Sequence, residues 1–168
     1  MNDGWFHTGD IGTLVDGRFL KITDRKKEIF KTSGGKYIAP QAIENKFKES
    51  NFIEQIMVIG ENQKYASALI VPDFNYLKNS CNQSGISFSN NSDIIKNDKV
   101  LTAIRNDVAM LNKEFGNTEQ IKKIKLVDKE WTIDGGELTA TLKLKRKKIA
   151  EKYMTLIEEI YNEEPLQV

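Results

Sequence analysis

The chain has 168 residues, 39% of them hydrophobic and 29% charged, and its 25 basic residues nearly cancel 24 acidic ones to leave a formal net charge of +1. That is the length of one ordinary domain, or of one domain with part of another, and it suffices to bury a core. The balanced charge excludes a globally basic nucleic-acid binder. The single cysteine, Cys81, excludes an internal disulfide framework and a multi-cysteine zinc site, and the single histidine, His7, argues against a Ser-His-Asp triad.

No apolar run is long enough to span a bilayer, and the first residues lack the basic-apolar-small pattern of a secretory leader. The expected compartment is reducing and cytoplasmic.

In chain order, residues 12–15 and 18–23 read as two strands around Asp16-Gly17, a strong two-residue hairpin signal. In the second strand Leu20 and Ile22 share one face and Phe19 and Lys21 the other. Residues 28–31 form a short strand that runs into Thr32-Ser33-Gly34-Gly35, where adjacent glycines permit positive φ and close approach to a ligand.

Pro40 marks the first turn of a helix whose Ile43 and Phe47, four apart, share a face. Residues 53–59 and 67–71 read as strands joined by the polar turn 61–64, and Pro72 ends the second. Residues 78–97, rich in Ser and Asn, read as a surface connection with at most one helical turn, and as the most mobile internal segment.

Val100, Leu101, Ile104, Val108 and Leu111 then mark an amphipathic helix that stops before Gly116. Over 121–127, Ile124 and Leu126 alternate with Lys123 and Lys125, as in a half-buried strand. A last helix begins near Leu142, with Ile149, Tyr153, Leu156 and Ile160 inward. Strands and helices mix without regular alternation, so the class is α+β.

Three local constellations carry chemistry. Trp5-Phe6-His7-Thr8-Gly9-Asp10 puts a carboxylate beside a glycine turn, where it can accept hydrogen bonds from a ribose diol; on composition alone it is a turn before a strand. Asp24-Arg25-Lys26-Lys27 leads through a strand into Ser33-Gly34-Gly35, which lacks the spacing of a Walker phosphate loop.

Residues 143–152 hold six cations behind Thr139-Ala140-Thr141-Leu142. They read as a solvated helix face, as a nucleic-acid patch, or as one lysine meeting developing phosphate charge while the rest face water. Few aromatics interleave them, which weakens single-strand binding.

The three motifs in this order resemble the adenylate-forming enzymes, the superfamily of acyl-CoA synthetases, peptide-synthetase adenylation domains and luciferases. Thr8-Gly9-Asp10 looks like the motif closing that family's large domain, Asp24-Arg25-Lys26-Lys27 like its hinge, and Leu138-Thr139-Ala140-Thr141-Leu142-Lys143 like its final catalytic-lysine motif. The stretch 31–40, together with Leu-Thr-x-Thr-Leu-Lys-Leu-Lys-Arg, is most similar to the long-chain fatty acyl-CoA synthetase branch. Most members carry Gly where this chain has Leu142; within the long-chain branch Leu is usual.

The resemblance covers essentially the whole chain. It implies the small C-terminal domain of that fold: a β-hairpin, then a small mixed sheet packed with about three helices. Residues 1–24 would be the tail of the large adenylation domain, 25–27 the hinge and 28–168 the small domain.

The implied reaction joins a fatty acid to CoA at the expense of ATP, with Mg2+ held by ligands outside this chain. The implied site has Lys143 as the adenylation lysine, Asp10 and Arg25 on the ribose, Lys27 as the hinge, and Ser33, Gly34 and Gly35 lining the CoA channel. The implied partners are fatty acid, ATP, CoA and the chain's own large domain, with no nucleic acid and with peripheral membrane contact left open. The 168 residues alone are expected to be inactive. The competing expectation is a standalone basic module that binds nucleic acid or acidic lipid surfaces.

Overall fold

The computed structural model describes residues 7–25 and 28–162. It opens on a hairpin of β1 (Asp10–Val15) and β2 (Phe19–Arg25). Asp16 and Gly17 have φ of 52° and 64°, the paired left-handed conformation that a tight two-residue connection requires, and the Arg18 N–H closes it on the Val15 carbonyl at 3.1 Å. Leu14 faces Leu20 and Val15 faces Phe19 across the ladder. A register shift at Ile11 and Gly12 then brings Asp10 opposite Arg25 at the open end.

A second, shorter hairpin follows, β3 (Phe30–Lys31) and β4 (Tyr37–Ile38). The centre is a three-stranded mixed sheet: β5 (Ile53–Ile59) antiparallel to β6 (Ser67–Pro72), and β7 (Lys123–Leu126) parallel to β6. Every residue of β6 is buried, as befits a central strand covered on both faces. Helix α1 (Pro40–Phe47) starts at proline as expected, packs on β5 and buries Ile43 and Phe47.

The lysines of β7 are half-buried rather than turned to water. They tie down α6 (Met154–Asn162), Lys123 through the Ile160 carbonyl at 3.1 Å and Lys125 through Glu159 at 3.0 Å.

Residues 78–97 do not form a surface connection. They continue α2 (Phe74–Gln83) and contain α3 (Asn91–Lys96), and Leu77, Cys81 and Ile94 are buried in the common core. Both helices start on side-chain caps. Asp73 accepts from the Tyr76 N–H, while Asn90 and Asp93 cap each other's backbone. The Ser and Asn content is explained by caps and outward faces, with one apolar residue per turn inward.

Helix α4 (Asp98–Asn112) buries Val100, Ile104, Val108 and Leu111 as the periodicity required. The last helix begins four residues later than expected, as α5 (Arg146–Lys152), and breaks at Tyr153 before α6. Six helices therefore stand among the described residues where about three were expected; α2, α3 and this break supply the rest. None of them is long and apolar enough to cross a membrane.

Candidate catalytic site

Lys143 sits on a tight two-armed loop built by the segment between β7 and α5. Leu138 bridges Leu144 at its foot, and the Lys145 N–H donates to the Glu137 carbonyl at 2.7 Å. Thr139 grips Lys143 on both sides. Its N–H donates to the Lys143 carbonyl at 2.8 Å, and its hydroxyl accepts from the Lys143 N–H at 3.0 Å. The Leu142 N–H closes the turn on the Thr139 carbonyl at 2.9 Å.

This turn forces Leu142 to a φ of 58°, a left-handed value that costs a non-glycine residue about 1–2 kcal/mol. That explains a preference for glycine at this place: the backbone needs it, and the 68% exposed Leu142 side chain has no packing role here to offset the strain. Lys143 itself is exposed.

Both arms of the loop are anchored by carboxylates buried in the fold. On the leading arm, Gln55 on the outer strand of the sheet exchanges amide bonds with the Trp131 backbone at 2.7 and 2.9 Å, fixing where the segment leaves the core. Glu137 follows, 2% exposed, accepting from the Thr132 N–H and paired with Lys152 of α5. Burial pushes the Glu137 carboxyl up, but the Lys152 ammonium and backbone N–H groups outweigh it and hold it below its ordinary value of 4.5. The hydrogen bond to Glu137 raises Lys152 above 10.5.

On the trailing arm, Arg146 grips Glu44 of α1 through two parallel bonds of 2.8 and 2.7 Å. Glu44 also accepts the Val58 N–H of β5 at 2.8 Å. Burial raises the Glu44 carboxyl against the pull of Arg146.

The other expected site residues fall into two groups. Asp10 and Arg25 stand opposite each other at the mouth of the first hairpin, the Asp10 N–H held by the Thr8 hydroxyl at 3.1 Å. Lys27 lies outside the described residues.

Ser33, Gly34 and Gly35 form the exposed turn of the second hairpin. The Thr32 N–H donates to the Lys36 carbonyl at 2.9 Å, and the Ser33 N–H to the Gln63 carbonyl at 2.9 Å. Gly35 has a φ of 80°, which the turn requires. Gly34 has no such need: nothing lies within 4 Å of where its Cβ would stand, so no contact among the described residues demands glycine there.

Lys143 and Gln63, whose carbonyl holds the Ser33 turn, line different clefts. Lys143 lines one with Gln41 and Lys48; Gln63, which supports the Ser33 turn, lines another with Phe30 and Ile157. Glu28 and Arg146 line both.

The sequence did not single out Glu28, Glu44, Glu137 or Arg146. Glu44 carried a legible signal, a carboxylate next to Ile43 on the core side of α1. Its partner, 102 residues away, did not.

Of the six cations in 143–152, Arg146 and Lys152 are held by buried carboxylates, and Lys148 pairs with Glu151 at 3.7 Å. Three of the six cations are thus ion-paired, Lys143, Lys145 and Lys147 stand exposed, and nothing among these contacts supports the nucleic-acid reading. Among the described residues, no cluster of three or more His, Cys, Asp or Glu side chains could hold a metal ion.

A small α+β domain that carries a lysine on an anchored loop and an exposed glycine turn matches what is expected of the C-terminal domain of adenylate-forming enzymes. The family described as AMP-binding enzyme C-terminal domain matches residues 27–165, and the chain belongs to it.

The chain is 37% identical over 168 residues to long-chain-fatty-acid–CoA ligase FadD15 of Mycobacterium tuberculosis, covering 98% of this chain and 28% of that protein. It is 40% identical over 162 residues to long-chain-fatty-acid–CoA ligase 5 of Mus musculus, covering 95% of this chain and 24% of that one. It thus spans about a quarter of the length of these relatives. The fold is similar to part of the adenylation domain of a carboxylate reductase from Mycobacterium chelonae, with a TM-score of 0.77 over 97% of this chain and 24% of that chain, at 24% identity.

Proposed function

We propose that the chain works as the C-terminal domain of an AMP-forming long-chain fatty acid–CoA ligase, joined to a large domain that binds ATP and the fatty acid. The observation that carries the reading is the anchored Lys143 loop inside a domain whose relatives at 37–40% identity are named for that reaction.

In the first half-reaction a carboxylate oxygen attacks the α-phosphorus of ATP, pyrophosphate leaves, and Lys143 neutralises charge gathering on the phosphate oxygens. A lysine suits this as a compact cation that acts where charge develops in the transition state. Asp10 accepts hydrogen bonds from the ribose hydroxyls, and Arg25 helps hold the same ribose.

In the second half-reaction the CoA sulfur attacks the acyl carbon and AMP leaves. Between the two, residues 28–168 turn about Lys27, Lys143 withdraws, and Ser33, Gly34 and Gly35 enter to line the pantetheine channel. Exchange of one reacting set for another by domain motion is a recognised device. The freedom around Gly34 is what such a passage needs. Residues 1–24 belong to the large domain, consistent with the exposed apolar side chains of the first hairpin. The buried free Cys81 suits a reducing cytoplasm.

The test is ATP–pyrophosphate exchange by a full-length ligase carrying this domain, against a panel of carboxylic acids. Exchange dependent on long-chain acids is expected; exchange with none of them, or only with amino acids, contradicts the assignment. The 168 residues alone should give no acyl-CoA from palmitate, ATP and CoA, because one domain cannot position both reactants.

A further inference from the structure

We propose that Arg146 is a positioning residue for adenylation: by clasping Glu44 and Glu28 it fixes the trailing arm of the Lys143 loop, so that Lys143 reaches the reacting phosphate only while this cluster is intact. The proposal rests on the reading of Lys143 as the adenylation lysine.

Arg146 is three residues past Lys143 and is the first residue of α5. The residue that should cap this helix, Lys145, makes no side-chain cap, so the start of α5 is not set locally. It is set across the domain by the two bonds from Arg146 to Glu44, whose second carboxylate duty is the Val58 N–H of β5. Lys143 is thereby referenced to α1 and to the central sheet at once.

A fork of two parallel bonds fixes direction as well as distance, which a single cation on a flexible stem does not. Stability alone is a poor reason for such an arrangement, since well-packed apolar residues often replace a buried ion pair without loss.

Arg146 also reaches Glu28 at 3.4 Å. Glu28 lies one residue past Lys27, so the guanidinium links the lysine loop to the chain leaving the hinge. Arg146 and Glu28 together line both the cleft of Lys143 and the groove that runs to Gln63 under the Ser33 turn. The contact to Glu28 is the longer one and its side chain is 32% exposed, so it can yield when the chain turns, while the Glu44 fork persists.

The test uses a full-length ligase carrying this domain and measures both half-reactions for Arg146→Lys, Glu28→Gln and Lys143→Ala. Arg146→Lys keeps a cation and loses the fork. Its pyrophosphate-exchange kcat should fall about 10–100-fold, the scale of loss for an ångström-level misplacement. KM for ATP and for the fatty acid should stay within about threefold, because ground-state binding is supplied elsewhere. Thioester formation from a supplied acyl-adenylate should stay within about threefold on the same reasoning. Glu28→Gln should show the same selective pattern, smaller.

A role in folding alone would instead lower both half-reactions together, in step with the melting temperature, and that result overturns the proposal. So does unchanged exchange in Arg146→Lys. Should Arg146→Lys fail to fold, Glu28→Gln decides: a selective loss of exchange supports the proposal and wild-type exchange overturns it. If Lys143→Ala leaves exchange intact, the reading of Lys143 fails and the proposal falls with it. If Lys143→Ala abolishes exchange while Arg146→Lys does not disturb it, only the positioning role is lost.

Discussion

The first hairpin and the central sheet are built from similar residues and end in opposite states. On β1 and β2, Leu14, Phe19, Leu20 and Ile22 are between 55% and 67% exposed, and neither strand's described side chains include a buried one. On β6, every residue is buried. A lone two-stranded hairpin is marginal in water, and apolar residues on both of its faces have nothing to pack on unless another layer covers them. The central sheet is covered by its own helices, and the buried core among the described residues runs from Ile38 to Ile160.

The largest effect should come from the sheet. Ile70→Ala, at 0% exposure in the middle of β6, should cost about 2–5 kcal/mol in denaturant unfolding. A loss below about 1 kcal/mol would mean that the sheet is not the stable body of the chain.

Next is the acid limb of stability. The folded pKa of Glu137 lies below its ordinary 4.5, so its contribution is complete above that pH and is lost as pH falls through the lower folded value. Lys152 is raised above 10.5, so its contribution holds below that pH and fades as pH rises through the folded value. Glu137→Gln should lower the melting temperature at pH 7 and flatten both limbs of a melting-temperature profile between pH 3 and pH 11. Limbs as steep as those of the parent would show that the pair contributes nothing.

Smaller still, and of opposite sign, Leu142→Gly should stabilise by up to about 1 kcal/mol, the relief of left-handed strain being partly offset by the freedom glycine adds to the unfolded chain. A loss of more than about 1 kcal/mol would mean that the Leu142 side chain packs on something the domain alone does not provide.

The smallest effect in the 168-residue chain, and the sharpest for the comparison, is Leu20→Ser. In the 168-residue chain it should change unfolding by less than about 0.5 kcal/mol. In a full-length ligase it should cost about 1–3 kcal/mol, the burial of one leucine side chain. Equal small effects in both would remove the hairpin from the large domain.

The parts of this architecture that rest on local chemistry were legible in the sequence. Asp16-Gly17 fixed the first turn, Pro40 the start of α1, and the spacing from Val100 to Leu111 the face of α4. Residues 78–97 look like a loop because Ser and Asn favour turns and caps alike, whereas here Asn90 and Asp93 are a capping pair and Leu77 and Cys81 stand four apart on a helix face. The start of the last helix is not legible because Leu142 continues an apolar pattern while its backbone is left-handed.

At the site, motif order pointed to Lys143 and to the Ser33 turn. What anchors Lys143 was not legible, because the fork of Arg146 on Glu44 joins residues 102 apart and only the folded domain brings them together.

The most direct measurement compares Lys143→Ala with Lys147→Ala in a full-length ligase, following pyrophosphate exchange and thioester formation from a supplied acyl-adenylate. Lys143→Ala should lower exchange by about 10²–10³ and spare the second half-reaction, because charge builds on the phosphate only in the first. Lys147→Ala should leave both within about threefold, since an exposed charge acts weakly through water. Exchange that responds alike to both substitutions would contradict the assignment of Lys143 and with it the central claim.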